Sequence, residues 1–337
     1  MFSIPSYHKS LLNWYAMFQR HLPWRMREGE IPDPYKVWIS EIMLQQTTVP
    51  TVKDYYLRFV EKWPTISHLA KAPLDDVLHA WQGLGYYSRA RNLHKCAQVV
   101  WAEYQGIFPS EEPGLLKLPG IGPYTAAAIR SIAFNQTSTV VDGNIERIMA
   151  RLFQIQTPLP QAKKEIYYYA EKLKSDSAPA DYAQALMDLG SMVCTPKSPK
   201  CDLCPLQAYC QSLGNEPENF PKRLPKNQRP IKYATFFFVE NDQGEVLIER
   251  RPEKGLLPGM MGFPTSNWTE ALSPVEGADE VIGKIQHTFT HFHLVGTVVR
   301  KSHHPEGIWV KREDLHKYAF PTLMKKVKQV IFQEAGQ

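Results

Sequence analysis

The sequence of 337 residues has no long hydrophobic run, no low-complexity tract and only five cysteines. The apolar stretch near its start, residues 11–18, is broken by Asn13 and lacks both the continuous apolar core and the cleavage site of a signal peptide. It is also too short to span a bilayer. These absences argue against a membrane protein or a secreted disulfide-rich protein, and we expect a cytoplasmic chain with reduced cysteines.

A strong charge of one sign is also lacking, since the formal net charge is only +5. Acidic and basic residues balance within residues 231–337, so the basic excess lies in residues 1–230. A polyanion such as nucleic acid is therefore expected to bind the first two-thirds of the chain. The excess is modest and identifies no partner by itself.

The chain length is sufficient for two buried cores. Short apolar-periodic segments between proline and glycine turns predict a helical domain over residues 1–214. Residues 215–230 contain four prolines and several charges, which predict a linker. Residues 231–337 change to an alternating pattern and predict a smaller α+β domain.

Within that second domain, alternation predicts strands over Tyr233–Val239 and Glu245–Glu249 with a turn over Asn241–Gly244. Residues 287–299 alternate again and predict a further strand. Pro321–Gln333 carries apolar residues at helical spacing and predicts a closing amphipathic helix.

Four cysteines lie close together: Cys194, Cys201, Cys204 and Cys210. Sulfur ligands at this density bind zinc or an iron–sulfur cluster, whereas free thiols so crowded would be prone to oxidation. A zinc site usually has two C-x-x-C pairs or histidine ligands, and this segment has one such pair. The spacing resembles the cluster loop of the endonuclease III superfamily of DNA glycosylases, which implies one [4Fe–4S] cluster. Cys96 lies on an apolar helical stretch and is expected to pack in the core.

A glycine-containing turn, Leu118–Thr125, precedes an alanine-rich segment predicted as a helix over Ala126–Phe134. Gly120 and Gly122 allow the backbone to approach a ligand, and the exposed N–H groups of a helix start favour an anion. The segment resembles the helix-hairpin-helix motif of the same superfamily, which holds a DNA phosphate without reading sequence. A tight turn between two helices would give the same pattern.

Asp142 follows two valines and precedes a helix predicted over Ile145–Phe153. Its simplest role is to cap that helix. Capping is compatible with catalysis, because a helix N-terminus keeps a carboxylate ionised, and an anion stabilises the oxocarbenium character that develops when an N-glycosidic bond breaks.

Glu41 lies in a segment that is apolar almost all round. Burial would raise the pKa of its carboxyl group and suit it to act as a general acid. The alternative is a solvated polar stripe shared with Ser40 and Gln45. If Glu41 is buried, it forms a pair of opposed environments with Asp142, in which Glu41 is protonated and Asp142 is ionised.

Two segments, Asp33–Thr47 and Gly83–Leu93, look like the MutY family of adenine DNA glycosylases, and the resemblance covers nearly the whole chain. It implies a mostly α helix-hairpin-helix glycosylase domain with an iron–sulfur loop, followed by an α+β Nudix-like domain. Superfamily members that also cut the DNA backbone carry a lysine where this chain has Tyr124, and without an amine no Schiff base forms. The resemblance therefore implies a monofunctional enzyme that leaves an abasic site.

The resemblance also implies roles for individual residues. Glu41 would protonate N7 of adenine, and Tyr124 and Asn144 would flank the sugar beside Asp142. Three further residues would contact the DNA around the lesion: Gln45 and Tyr86 in the base stack, with Tyr86 as a wedge, and Asp188 at the flipped adenine. Tyr86 and Tyr87 have an alternative role as core aromatics, and Asp188 as a helix-end residue.

Residues Glu249–Gly259 and Phe263–Pro264 resemble the Nudix-like domain of the family. The glutamate-rich helix of the pyrophosphatases is absent from the sequence, so no nucleotide hydrolysis is expected. The resemblance assigns Phe289, Thr290 and His291 to recognition of 8-oxoguanine. Serine is usual at the middle position, and Thr290 retains its hydroxyl group. Alternation would place His287, His291 and His293 on one strand face, where zinc binding is an alternative.

The sequence thus predicts a monomeric, cytoplasmic, nucleoid-associated enzyme of base excision repair. Its substrate would be double-stranded DNA containing adenine opposite 8-oxoguanine or guanine, and no membrane is involved. One alternative is a relative that removes oxidised pyrimidines or mismatched thymine. Another is a cluster-bearing DNA-binding protein without catalysis, against which the acids Glu41 and Asp142 argue.

Overall fold

The computed structural model describes residues 3–26, 30–225, 228–271, 279–302 and 306–332. The chain forms two compact units, one from Met1–Ala70 and Lys95–Pro225, the other from Lys71–His94 and Lys226–Gln337. In the described part of the chain, no helix combines the length and apolar character that a membrane crossing requires.

Eleven of the described α-helices precede residue 193 in the chain. Their bounds are α1 Ile4–Phe18, α2 Pro34–Leu44, α3 Val49–Lys62, α4 Ile66–Lys71, α5 Leu74–Ala80, α6 Ser88–Glu103, α7 Glu112–Leu116, α8 Pro123–Phe134, α9 Gly143–Leu152, α10 Lys163–Leu173 and α11 Pro179–Met192. Several begin with proline in the first turn, where the missing N–H has no helical partner to lose.

The core of the first unit is built by helices whose buried residues recur at helical spacing. Helix α2 packs against α8, and α11 packs against α1, α8 and α9. Helix α2 is buried along nearly its whole length, including Trp38 and Ile39, which are fully buried. A side chain on α2 is therefore surrounded by protein on most sides, and this placement sets the environment of Glu41.

The predicted hairpin joins α7 and α8. Gly120 has φ +78°, a left-handed conformation that glycine adopts without strain. Gly122 caps α8, and the space where its Cβ would stand is open. Helix α8 starts at Pro123, three residues earlier than predicted, because proline is well accommodated at the first helical position.

The second unit contains two three-stranded sheets, ordered β1-β5-β4 and β3-β2-β6. The strands are β1 Ile231–Phe238, β2 Glu245–Arg250, β3 Met261–Gly262, β4 Glu280–Thr288, β5 His293–Arg300 and β6 Ile308–Lys311, and α12 spans Thr322–Phe332. Among the described strands, only β1 and β5 pair in parallel. The predicted β1, β2 and closing helix are confirmed, although the predicted helix end at Gln333 lies outside the described residues.

The prediction of a single strand over residues 287–299 is wrong. Strand β4 ends at Thr288 and β5 begins opposite it at His293, so the chain reverses direction between them. The N–H of Phe289 donates to the carbonyl of Phe292 at 2.9 Å and closes the turn. Alternating aromatic and polar residues fit a turn with stacked rings as well as a strand, and for that reason the pattern was misleading.

Part of the segment predicted as a linker packs on the first unit. Phe220 is buried, and its carbonyl accepts a hydrogen bond from Arg151. The N–H of Leu159 donates to the carbonyl of Lys222 at 2.8 Å. Lys226 and Asn227 lie outside the described residues. The domain boundaries at 214 and 231 stay predictions.

Candidate active site

Glu41 is buried on α2, with 5% of its surface exposed. Its neighbour Ser40 is also buried and donates to the carbonyl of Val37, so the two do not form a solvated stripe. The pKa of Glu41 is raised to about 7, mainly by burial and also by the charge of Asp142, although the hydrogen bond from Tyr124 and the charge of Arg25 act to lower it. Near neutral pH this carboxyl group is poised to give or take a proton.

Tyr124, in the first turn of α8, donates its hydroxyl proton to Glu41 Oε2 at 2.6 Å. Burial and the two neighbouring carboxylates raise the pKa of Tyr124 well above its ordinary value, so its hydroxyl stays protonated. The contact between α2 and α8 brings the hairpin motif and the buried acid to one place.

Asp142 caps α9, as predicted. Its Oδ1 accepts from the N–H of Asn144 at 3.0 Å and of Ile145 at 2.7 Å, and its Oδ2 accepts from the side-chain amide of Asn144 at 2.8 Å. These hydrogen bonds and the charge of Arg147 act to lower the pKa of Asp142, but burial has the larger effect and raises it. Enclosure thus raises the pKa of both acids, and the two sites differ in their donors: Asp142 accepts from two backbone N–H groups at a helix start, whereas Glu41 accepts from one hydroxyl group. That one acid is protonated while the other is ionised stays a prediction.

Three neighbours, Asp142, Arg147 and Gly190, fix the position of Asn144. Its side-chain oxygen accepts from Arg147 at 2.9 Å, and Arg147 also donates to the carbonyls of Gly190 and Cys194, each at 2.7 Å. A Cβ on Gly190 would stand 2.5 Å from the Cβ of Asn144. The close approach of α11 to α9 at this glycine therefore fixes Asn144 against Asp142.

Asp188 is fully buried on α11 and bound by two arginines. Arg25 donates to both oxygens at 2.6 and 2.7 Å, and Arg20 donates through Nε at 2.6 Å and through its backbone N–H at 2.9 Å. Burial alone would raise the pKa of Asp188, but these donors hold it below its ordinary value. All four favourable acceptor positions are occupied, which leaves none for a base.

A cavity of about 40 Å³ adjoins Glu41. Arg20, Arg25, Trp24 and Met187 are among its lining residues, so Asp188 acts on this cavity through the arginines that it holds. Gln45, at the end of α2, donates its amide to Thr125 at 3.1 Å and lies beside the hairpin motif. The structure thus gathers Glu41, Tyr124, Asp142, Asn144 and Gln45 around neighbouring helix ends of one unit.

The four clustered cysteines line one cavity with Arg151. Arg151 is 2% exposed and donates to Cys194 Sγ at 3.3 Å and to the carbonyls of Thr195 and Pro196. No group of three or more His, Cys, Asp or Glu in the described ranges is placed to hold a single metal ion. Four sulfurs around one cavity fit an iron–sulfur cluster held by thiolates, whose charge the buried arginine would partly balance.

Family models match three parts of the chain. Residues 39–175 match the HhH-GPD superfamily of base excision DNA repair proteins, residues 194–210 the iron–sulfur binding domain of endonuclease III, and residues 235–329 a NUDIX domain. The cysteine loop therefore binds a [4Fe–4S] cluster, and its four cysteines, Cys194, Cys201, Cys204 and Cys210, are the candidate ligands. When bound, the cluster cross-links the loop that Arg147 and Arg151 contact.

Whole-chain relatives decide between members of this superfamily. The adenine DNA glycosylase of Buchnera aphidicola subsp. Baizongia pistaciae is 33% identical over 339 residues, which cover 95% of each chain. The chain belongs to the adenine DNA glycosylase family. The human adenine DNA glycosylase is 33% identical over 97% of this chain and 74% of its own.

Solved structures resemble the helical part of this glycosylase. A thermostable thymine-DNA glycosylase is 30% identical, with a TM-score of 0.57 over 63% of this chain and 97% of its own. A trapped endonuclease III–DNA covalent intermediate, 24% identical with a TM-score of 0.53, shows the same fold. The predicted fold class is confirmed, with helix-hairpin-helix and Nudix-like parts.

In the second unit of the glycosylase, Tyr86 is 47% exposed at φ +47°, whereas Tyr87 is buried. Tyr87 is thus a core aromatic, but Tyr86 is not. The hydroxyl of Tyr86 lies 2.8 Å from Thr290 Oγ1. Phe289 stacks on Phe292 with centroids 4.7 Å apart, while Thr290 and His291 are exposed. The zinc alternative required three histidines on one face of a single strand. His287 and His293 instead lie on the two different strands of a hairpin, so that arrangement is not present.

Sequence reasoning did not identify several residues of this site. Arg20 and Arg25 lie in an irregular segment before α2, and Arg147 looks like an ordinary surface residue of an amphipathic helix. Gly190 directly follows Leu189 in a segment already noted for Asp188. Gly190, near the end of α11, was the one signal in the sequence that two helices pack closely here.

Proposed function

We propose that this glycosylase removes adenine paired with 8-oxoguanine or guanine in duplex DNA and leaves an abasic site. The observation that carries the proposal is the hydrogen bond from Tyr124 to the buried acid Glu41, with the capped carboxylate Asp142 near enough for its charge to raise the pKa of both. Relatives named adenine DNA glycosylase match along almost the entire chain, whereas the thymine-DNA glycosylase matches 63% of it. The match along the chain favours adenine over thymine.

The chemistry requires a proton for the base and a negative charge for the sugar. Glu41 in its acid form protonates adenine N7, the C1′–N9 bond breaks, and its electron pair goes to the departing base. Asp142 stabilises the cationic sugar until water adds at C1′ and releases a proton to solvent, from which Glu41 regains its acid form. Asn144 orients Asp142, and Tyr124 donates to Glu41.

Strand cleavage requires an amine at the sugar, and Tyr124 has none. Its hydroxyl is committed to Glu41 and its pKa is raised, so it does not act as a nucleophile. We therefore propose a monofunctional reaction without a Schiff-base intermediate.

Recognition of 8-oxoguanine is assigned to the turn that holds Phe289, Thr290 and His291. Phe289 is half-buried against Phe292 and Trp268, which gives the exposed Thr290 and His291 a rigid support. The exposed Tyr86 beside Thr290 suits a wedge in the base stack. Gly120 and Gly122 would hold a phosphate, and Asp188 would position Arg20 and Arg25 rather than touch the base.

We also propose that the enzyme acts as a monomer. We retain a cytoplasmic location on nucleoid DNA as part of the proposal, since duplex DNA is the proposed substrate.

The test is a single-turnover assay of the cluster-loaded enzyme on duplexes with adenine opposite 8-oxoguanine, guanine or cytosine. We expect free adenine and a strand that breaks only after alkali, fastest opposite 8-oxoguanine. Duplexes with oxidised pyrimidines or a G·T mismatch test the enzyme alternative. Thymine release, strand breakage without alkali, or no base release would refute the proposal.

A further inference from the structure

A second, larger cavity lies behind the one that adjoins Glu41. It has a volume of about 450 Å³, within the range of small-molecule sites, whereas about 40 Å³ accommodates only a few water molecules. A purine that enters beside Glu41 must therefore displace lining side chains.

The two cavities share five lining residues: Trp24, Arg25, Val37, Ile132 and Gln184. Three of them form a fixed frame, because Trp24 and Val37 are buried and Arg25 is held by Asp188. Ile132 and Gln184 are only half-buried, and Gln184 donates a long 3.3 Å hydrogen bond to the carbonyl of Ala180. These two side chains form the part of the wall that rotates most easily.

The larger cavity lies farther than the smaller one from the end of α11 that meets Asn144 at Gly190. Ile132 on α8 lines both cavities, so α8 does not separate them. On α11, Ala180 and Asp181 line the larger cavity while Met187 lines the smaller one. A nucleotide held at the hairpin end would thus close the Glu41 side and leave the far side open.

We infer that the larger cavity receives the excised base, which makes it a binding site for a free purine and the exit route for adenine. The inference rests on the proposed function. The C1′–N9 bond breaks while DNA still covers the hairpin side, so the neutral base leaves more easily through the side-chain wall. The cavity offers flat aromatic surface from Tyr15 and Trp24 and polar groups from Gln19, Asp181 and Gln184.

Two small residues at the cavity allow a direct test. Ala16 lies on the exposed side of α1 and Ala180 near the start of α11, and neither lines the Glu41 cavity. The double variant Ala16→Leu/Ala180→Leu fills the larger cavity with good helix formers. The matched control, Ala16→Ser/Ala180→Ser, changes the same positions without filling it.

Equilibrium dialysis of the full cluster-loaded enzyme with radiolabelled adenine gives the first readout. We expect the wild type and the serine variant to bind adenine within twofold of each other and the leucine variant at least tenfold more weakly. Equal binding by the leucine variant, or no binding by the wild type, would overturn the inference.

Release after a single turnover gives the second readout. With DNA labelled in the scissile adenine, rapid gel filtration should show the wild type freed of base while abasic DNA remains bound, and the leucine variant retaining the base. Simultaneous loss of base and DNA from the wild type would overturn the exit route. The excision rate, expected within twofold for all three proteins, separates this outcome from failure of the proposed function, which would abolish excision in the wild type.

Discussion

The acid cluster of the helical unit and the aromatic turn of the second unit are built in contrasting ways. Glu41 is buried, Tyr124 and Asp142 are half-buried, and each is fixed by a partner on another helix or by a helix end. At the turn, the rings of Phe289 and Phe292 form the support, and the polar groups of Thr290 and His291 are exposed. Enclosure suits chemistry on a base, and exposure suits contact with DNA from outside.

Glu41→Gln should have the largest effect, because it removes the proton donor while keeping size and shape. We expect single-turnover adenine excision to fall by about 10²- to 10⁴-fold. DNA binding, measured by gel shift, should change little. Excision within tenfold of the wild type would contradict the assignment.

Glu41→Gln also tests how burial of this carboxyl group affects the free energy of unfolding, separately from its role in catalysis. A folded-state pKa near 7, against 4.5 in the ordinary state, disfavours folding as Glu41 ionises, by up to about 3 kcal/mol above pH 7 and by nothing below pH 4. Chemical denaturation should thus find Glu41→Gln more stable than the wild type at pH 8 and no more stable at pH 4. A less stable variant at pH 8 would show that Glu41 is not enclosed.

Asp142→Asn should lower excision by about 10²- to 10³-fold, since the anion beneath the sugar is lost. Asparagine caps helices as well as aspartate, so thermal unfolding should be nearly unchanged. Asp142→Ala is the contrasting variant and should also cost about 1 kcal/mol of stability. If Asp142→Asn keeps wild-type activity, capping is the only role of this residue.

Asp188→Asn leaves Arg20 and Arg25 without their buried counter-charge. We expect a loss of about 3–5 kcal/mol in the free energy of unfolding, measured by denaturant titration. Asp181→Asn, an exposed position on the same helix, is the control and should change stability by less than about 0.5 kcal/mol. Equal effects of the two variants would mean that the arginine pair is not held as described.

Changes at the turn should be smallest and should affect discrimination rather than chemistry. Thr290→Val removes the hydroxyl that lies near Tyr86, and we expect the preference for 8-oxoguanine over guanine to fall about two- to tenfold, the worth of one hydrogen bond. Thr290→Ser retains the hydroxyl and should preserve the preference. A parallel loss of excision on both duplexes would place Thr290 in the chemistry and erase the contrast between the two regions.

The sequence predicted the features that depend on local pattern. The burial of Glu41, the capping by Asp142 and the first two strands follow from apolar periodicity and turn residues, and the structure confirms them. Cysteine spacing together with resemblance predicted the cluster loop, which the family match confirms.

Features that depend on distant contacts could not be predicted. Arg25 and Asp188 are 163 positions apart in sequence, and nothing local indicates that they pair. The pKa of Asp142 is raised because other elements enclose the helix end, whereas local reasoning considered only the cap. The turn at Phe289–Phe292 was misread because stacked rings at a chain reversal imitate strand alternation.

The pH dependence of single-turnover excision from an A·8-oxoguanine duplex tests the central claim most directly. If buried Glu41 is the acid, the rate should fall tenfold per pH unit above about pH 7, as the protonated fraction declines. Tyr124→Phe removes the hydrogen bond that lowers the pKa of Glu41, so the decline should begin at higher pH. A rate that rises with pH above 7, or a decline that Tyr124→Phe leaves in place, would contradict proton donation by Glu41.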